Sequence, residues 1–258
     1  MYIDNVDIKI NSCKKEIIAK KDKIIISGPC AIESYEQLLK TAKFVKSQGA
    51  NVLRGGAFKP RTSPNSFKGL KEEGLEILKA VKEETGLAVI TELMDVRDLE
   101  KVYEVADIIQ IGSRNMQNFT LLTEVGKQDK PIMLKRGFVA TVKEWIGASE
   151  YIIAEGNSKI LMCERGIRTF SDYTRNTLDL AVVPIIKKET NLPVIVDPSH
   201  GTGVRELIKP MSKAGLACGA DGLMIEVHPQ PEIALSDGEQ SLHFNEYEDL
   251  MRDIKIFM

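Results

Sequence analysis

Long apolar runs are missing from this 258-residue chain. No stretch approaches the ~20 residues a membrane-spanning helix requires, and the opening MYIDNVDIKINSCKKEIIAKKDK lacks the apolar block of a secretory signal. No membrane and a cytoplasmic location are the expectation. An excess of one charge is also missing: 35 Lys and Arg stand against 37 Asp and Glu, a formal net charge of −2. That balance argues against a nucleic-acid binder, which needs a broad basic face. Cysteine is scarce. The four at positions 13, 30, 163 and 218 have no metal-finger spacing, and a chain of this length needs no disulfides, so a reducing cytosol is the default. The sequon Asn118-Phe119-Thr120 is then inert. No G-x-G-x-x-G follows the first strand-like run, and Gly201-Thr202-Gly203 lacks the third glycine, which counts against a dinucleotide-binding open sheet. Repeats, low-complexity tracts and linkers are absent as well.

Hydrophobic residues make up 43% of the chain and charged residues 28%, enough apolar mass for a full core. A prior of ~150 residues per domain suggests nearly two domains, but α/β barrels of ~250 residues form one. Eight short β-branched runs alternate with helical patterns: Ile24–Ser27, Asn51–Arg54, Leu87–Thr91, Asp107–Ile111, Pro131–Lys135, Lys159–Cys163, Pro193–Asp197 and Asp221–Glu226. They are nearly continuous apolar runs, as in parallel strands buried on both faces. Ser34-x-x-Gln37 and Thr141-x-x-Glu144 read as capping boxes, and Gly86 as a helix stop. Leu38, Ala42 and Val45 share one helical face, as do Leu75, Leu78 and Val81. Phe244, Tyr247, Met251 and Ile254 mark a final amphipathic helix, while Pro184 and Pro210 must kink or split theirs. Eight strand-then-helix units predict an α/β fold, a single (β/α)₈ barrel over residues 24–258. Residues 1–23 form an N-terminal extension, in which Val6–Ile10 and Glu16–Ala19 have room to pair as a hairpin closing the barrel's lower end. A doubly wound open sheet is the alternative.

Such a barrel carries its site on the loops after its strands. The strand ends deliver Cys30, Arg54, Glu92, Arg114, Lys135, Arg165, His200 and Glu226 in turn. Eight charged or metal-binding groups facing one another cost stability unless a ligand or metal compensates. The cations call for a small, multiply charged anion. From Asn51 to Leu70 there are Arg54, Lys59, Arg61 and Lys68 and no acid, within the stiff glycine- and proline-bearing loop RGGAFKPRTSPNSFKG. Guanidinium forks match phosphate and carboxylate oxygens in pairs. Cys30, His200, Glu226 and Asp237 form the candidate metal set. Each has a dull explanation alone, but the loops after strands one, seven and eight are neighbours around a closed ring. One thiolate, one imidazole and two carboxylates suit a divalent transition ion (Mn, Fe, Co or Zn) over Mg or Ca. Cys13, Cys163 and Cys218 are read as structural, with Cys163 in the packed wall. His228 is placed as support for a metal ligand and His243 as structural.

The motifs GPCAIES, RGGAFKPRTSPNSFKG, IGSRNMQN, LKRG, CERGIRTF, DPSHGTG and GLMIEVHPQPEIALSDGEQSL, in order from about Ile24 to Leu242, closely resemble the 3-deoxy-7-phosphoheptulonate (DAHP) synthase family, type I beta group. The sister 3-deoxy-8-phosphooctulonate synthase family carries Lys-Ala-Asn-Arg-Thr-Ser, where this chain reads Lys59-Pro60-Arg61-Thr62-Ser63. That departure favours erythrose 4-phosphate over arabinose 5-phosphate. The resemblance implies condensation of phosphoenolpyruvate with erythrose 4-phosphate, releasing phosphate, as the first step of the shikimate pathway. It places metal ligands on Cys30, His200, Glu226 and Asp237, and phosphoenolpyruvate contacts on Arg54, Lys59, Ser113, Arg114, Lys135 and Arg165. Sugar-phosphate contacts fall on Lys59, Pro60, Arg61 and Thr62. Lys59, Glu92 and His200 are the catalytic residues it implies, Glu92 near the attacking water and Lys59 as proton donor. It further implies a homotetramer or homodimer; some members of the family carry a ferredoxin-like or chorismate mutase domain beside the barrel, and with only residues 1–23 ahead of the first barrel strand and the last helix at the end of the sequence none is expected here. Two other readings compete: a metal-free aldolase with Lys135 as Schiff-base lysine, and a phospho-sugar-binding protein without turnover.

Overall fold

Two short strands, β1 (Lys9–Asn11) and β2 (Glu16–Ile18), pair antiparallel ahead of eight parallel ones. The eight are β3 (Ile24–Gly28), β4 (Val52–Arg54), β5 (Ala88–Leu93), β6 (Ile108–Ile111), β7 (Ile132–Lys135), β8 (Ile160–Glu164), β9 (Val194–Val196) and β10 (Gly222–Glu226). Each lies within two residues of the run that predicts it. They close into a barrel in chain order, with β10 hydrogen-bonded to both β9 and β3. The computed structural model describes residues 3, 8–11, 16–59, 63 and 65–258. Val6, Cys13, Pro60, Arg61 and Thr62 therefore lie outside the described residues.

The two-residue period of a strand divides the apolar residues into two layers. Ile26, Val52, Ile90, Ile108, Met133, Leu161, Ile195 and Met224 fill the barrel interior. Ile8, Ile10, Ile17 and Ala19 of the hairpin belong to the same cluster, so the hairpin stoppers the end of the barrel where the strands begin. The opposite end is left open for chemistry. Neighbours on the other strand face, such as Ile25, Leu53, Val89, Ile109 and Leu134, pack outward against helices. Truncating any of these to Ala would cost ~2–5 kcal/mol.

The helices are α1 (Tyr35–Ser47), α2 (Glu72–Thr85), α3 (Leu99–Val105), α4 (Phe119–Gly126), α5 (Val142–Ala154), α6 (Val182–Thr190), α7 (Pro198–Thr202), α8 (Arg205–Ala217) and α9 (Phe244–Ile254). Thr141 and Glu144 form both arms of a capping box on α5. At α1 the box is shifted: Ser34 accepts from the Gln37 amide as expected, but the Gln37 side chain accepts from Glu33 instead. Gly86 ends α2 in the left-handed conformation, at φ 70°. Pro184 sits in the first turn of α6, where a missing N–H costs nothing, and so marks a start. Pro210 corrects an expectation, because α8 runs through it unbroken. The proline removes one bond to Glu206, and the buried stripe of Ile208, Ser212, Gly215 and Leu216 holds the helix regardless. In α9 the buried residues are Tyr247, Leu250, Met251 and Ile254, while Phe244 stacks on Phe44 at 4.0 Å. Among the described residues no helix is long and apolar enough to cross a membrane.

Candidate active site

Closure of the barrel puts β10 beside β3, and with them residues two hundred positions apart. One donor atom from each of Cys30, His200, Glu226 and Asp237 lies within 4.8 Å of the others. Cys30 follows β3 and Glu226 ends β10. His200 lies in α7, whose N-cap is Asp197 at the end of β9. Asp237 comes from the loop after β10 and has a left-handed φ of 52°, a costly conformation for a residue with a Cβ. Its backbone carbonyl accepts from Ser241 at 3.0 Å, which helps hold it there. The Cys30 thiol donates to Asp237 Oδ2 at 3.1 Å, and His200 Nε2 stands 3.2 Å from Glu226 Oε1.

Burial pushes the Cys30 thiol up to about 12, with the Glu226 charge adding to the effect and Lys59 opposing it. Burial also disfavours the Glu226 carboxylate, but His200, Arg54 and Lys59 together outweigh it and hold that group below its usual range. His200 is driven down by burial against the pull of Asp197 and Glu226, which favours the neutral imidazole that binds metal. A soft thiolate, a neutral imidazole and two ionised carboxylates converging in a buried cluster fit a first-row transition ion.

Each ligand has a cation or an orienting partner behind it. Asp197 is fully buried; its Oδ2 stands 2.7 Å from His200 Nδ1 and accepts from Lys135 Nζ at 2.7 Å. One carboxylate thus fixes the imidazole so that Nε2 faces the cluster, the usual support for a histidine ligand. Arg54 forms a buried ion pair with Glu226, whose second oxygen accepts from Gln240. Lys59 Nζ donates to Cys30 Sγ at 2.8 Å and to the Cys30 carbonyl at 3.2 Å. A Cβ on Gly56 would meet the Cys30 carbonyl oxygen at 2.7 Å and Lys59 Cδ at 2.9 Å, so glycine lets the two loops approach here.

The cluster opens onto a cavity of about 410 Å³ lined by Arg54, Lys59, Glu92, Ser113, Arg114, Lys135, Arg165, His200 and Asp237, among others. Cys30 lies behind it, against Lys59 and Arg54. All the predicted site residues that are described therefore converge on one mouth. Glu92 Oε2 accepts from Gln110 at 3.4 Å, and a Cβ on Gly112 would come within 2.0 Å of Glu92 Oε1. Glycine there makes room for the carboxylate. Arg165 is 5% exposed; burial draws its pKa below the ordinary value against the pull of Asp197, and its Nη1 has no hydrogen-bond partner among the described residues. Neither has Ser113 Oγ.

Other placements differ in detail. Cys163 is buried in the interior cluster of the barrel, not in the wall behind the strands, because it alternates with the outward-facing Met162. Cys218 is exposed. His228 meets Glu33 at 3.5 Å, and Glu33 accepts from the Leu235 amide, so this histidine braces the loop leading to Asp237 without touching a ligand. His243 caps α9 and pairs with Glu232 at 2.8 Å. Sequence reading missed Asp197, Gln110, Phe138, Arg168, Arg175 and Asn176 as parts of the site. For Asp197 the signal was available, an Asp-Pro helix start three residues before a histidine ligand. Phe138 carries no charge and offered none.

A closed barrel whose rim joins a candidate metal-binding cluster to a cation-lined cavity defines an enzyme of small anionic substrates. The model of the DAHP synthetase I family matches residues 6–256, and the chain belongs to that family. A phospho-2-dehydro-3-deoxyheptonate aldolase of Thermotoga maritima is 55% identical over 231 residues, covering 90% of this chain and 68% of the relative. A 2-dehydro-3-deoxyphosphooctonate aldolase of Francisella tularensis is 32% identical over 249 residues, 90% of each chain. Among solved structures, a DAHP synthase of Thermotoga maritima superposes with a TM-score of 0.92 at 52% identity, over 97% of this chain and 73% of the other. A truncated form of the Thermotoga synthase gives 0.88 at 48% identity, over 97% and 91%.

Proposed function

We propose that this chain is a metal-dependent DAHP synthase that joins phosphoenolpyruvate to erythrose 4-phosphate, yielding 3-deoxy-D-arabino-heptulosonate 7-phosphate and phosphate. The observation that carries the reading is the Cys30, His200, Glu226 and Asp237 cluster opening onto a cavity walled by Arg54, Lys59, Arg114, Lys135 and Arg165. The preference for the seven-carbon product rests on the 55% identical relative, set against 32% for the eight-carbon one.

A divalent transition ion held by the four ligands would supply Lewis-acid polarisation of the aldehyde oxygen. The protein does the rest. Arg114, Arg165 and Lys135, with Ser113, bind the phosphate and carboxylate of phosphoenolpyruvate and hold its methylene carbon against the aldehyde carbon. A carbon–carbon bond forms between them, and Lys59, beside Cys30, delivers a proton to the aldehyde oxygen. Water adds at the carbon bearing the phosphate, with Glu92 taking its proton. The new hydroxyl then gives up its proton, which phosphate can carry away, as the carbon–oxygen bond to phosphate breaks, leaving the ketone and free phosphate. Asp197 keeps the His200 ring in register throughout, and Arg61 and Thr62 take the sugar phosphate.

Lys135 already has its amine engaged by Asp197, which disfavours the Schiff-base alternative. We assign residues 24–258 to the catalytic barrel and 1–23 to an N-terminal extension, with a cytoplasmic homotetramer or homodimer as the working form. Phosphate release is measured with phosphoenolpyruvate plus either erythrose 4-phosphate or arabinose 5-phosphate, with metal content taken on the same sample. Turnover with the four-carbon aldehyde, lost on chelation and regained with Mn, Fe, Co or Zn, is the expected result. Equal turnover with the five-carbon sugar, or chelator-insensitive activity with a borohydride-trapped adduct at Lys135, defeats it.

A further inference from the structure

Phe138, three residues beyond β7, is an aromatic ring in a cavity otherwise lined by polar and charged groups, and no step of the reaction uses it. Three guanidinium carbons surround it: Arg165 at 4.7 Å from the ring centre, Arg168 at 5.0 Å and Arg114 at 5.5 Å. They arrive from different loops, Arg114 after β6 and the other two after β8. Among the described residues none of the three forms an ion pair. Three cations this close repel one another, and the negative face of a phenyl ring is a partner all of them share. The backbone reinforces the arrangement. The Arg168 amide donates to the Phe138 carbonyl at 2.7 Å, while Ile167 and Thr177 exchange two hydrogen bonds that fix the base of the same loop. Arg165 Nη1 and Ser113 Oγ, buried atoms of residues lining the same cavity, have no hydrogen-bond partner among the described residues.

We propose that Phe138 is a positioning residue that gathers Arg114, Arg165 and Arg168 into one seat for a phosphate dianion, Arg168 being a further arm of that seat. The inference rests on the phosphoenolpyruvate reading above and deepens it. Repulsion among the cations is borne before the anion arrives, because the ring holds them in place, so the anion need not order them itself.

The test uses the metal-loaded enzyme in phosphate-free buffer. Calorimetric titration with inorganic phosphate is paired with steady-state kinetics for both substrates. Phe138→Leu keeps apolar bulk but removes the π face, and Phe138→Trp keeps the face. Phe138→Leu should weaken phosphate binding and raise KM for phosphoenolpyruvate by about tenfold, the combined effect of losing three weak cation–π contacts. kcat and KM for erythrose 4-phosphate should stay near wild type, and Phe138→Trp should restore phosphate affinity. Arg168→Gln, at an exposed position, should give the same split with about threefold loss and serves if the Leu variant does not fold. Wild-type phosphate affinity in folded Phe138→Leu, or equal losses in the Leu and Trp variants, overturns the proposal. A wild-type enzyme that binds neither phosphate nor phosphoenolpyruvate overturns the functional reading instead.

Discussion

Around the arc of rim formed by β9, β10 and β3, the acids face positive or orienting groups, Glu226 with Arg54, Asp197 with Lys135 and His200, and Asp237 with Arg175, while the Cys30 thiol lies against Lys59. Across the cavity, on the loops after β6 and β8, Arg114, Arg165 and Arg168 face one another around a phenyl ring, and among the described residues none of the three is ion-paired. The first arc is internally neutralised, as a site must be if its ligands are to stay ionised and in place while buried. The second is left cationic, as suits a site whose counter-charge comes with the substrate. Arg54, Lys59 and Lys135 of the first arc also line the cavity, so the two arcs are linked through them.

Removing a ligand tests that contrast most severely. Cys30→Ala should lower activity by roughly a hundredfold or more, together with bound metal, since even supporting residues are worth 10–100-fold. Elemental analysis, phosphate release and far-UV circular dichroism check it; full activity in a metal-free sample would erase the distinction between the arcs. On the cationic side, Arg165→Ala removes buried charge-assisted donors. It should raise KM for phosphoenolpyruvate by about 10–100-fold while leaving metal content unchanged. A parallel loss of metal would mean the arcs are one unit.

Asp197→Asn probes the link itself. Chelator competition should record roughly tenfold weaker metal binding, and steady-state kinetics a higher KM for phosphoenolpyruvate through Lys135. Movement of only one of the two would cut the proposed bridge. The mildest test is pH. A thiol pushed up to about 12 must give up its proton to bind metal, whereas the lowered His200 and Glu226 have none to lose near neutrality. Metal uptake at pH 7 should therefore release about one proton per ion, and affinity should rise about tenfold per pH unit between 6 and 8. An indicator dye reads the proton directly, and a count near zero would show that Cys30 is not a ligand.

Lys59 belongs to the metal side, while Pro60, Arg61 and Thr62 lie outside the described residues. Arg61→Ala should raise the requirement for erythrose 4-phosphate by about tenfold and that for phosphoenolpyruvate much less, as expected when one charged contact to a single substrate is lost. Equal effects would place the arginine elsewhere.

Most of the barrel was legible because its strands are buried on both faces, so each reads as an uninterrupted apolar run whatever its neighbours are. The hairpin was legible as two short apolar runs ahead of the first barrel strand, and its Ile8, Ile10, Ile17 and Ala19 join the interior cluster. Cys30, His200 and Glu226 could be nominated because their positions just past strand ends imply the rim. Asp237 lies further along its loop, and its left-handed backbone could not be read from the chain. Pro210 misled because a proline's local penalty is fixed, while the packing that outweighs it is not local.

What the chain alone settled is the succession of elements and the kinds of charge delivered to one end, since periodicity and residue chemistry are properties of short segments. Which charge meets which was decided only when the barrel closed. Asp197 reaching both His200 and Lys135, and three arginines sharing the ring of Phe138, are contacts between loops distant in sequence. Those contacts depend on distances of a few ångströms across the rim, and no pattern within a single segment encodes them.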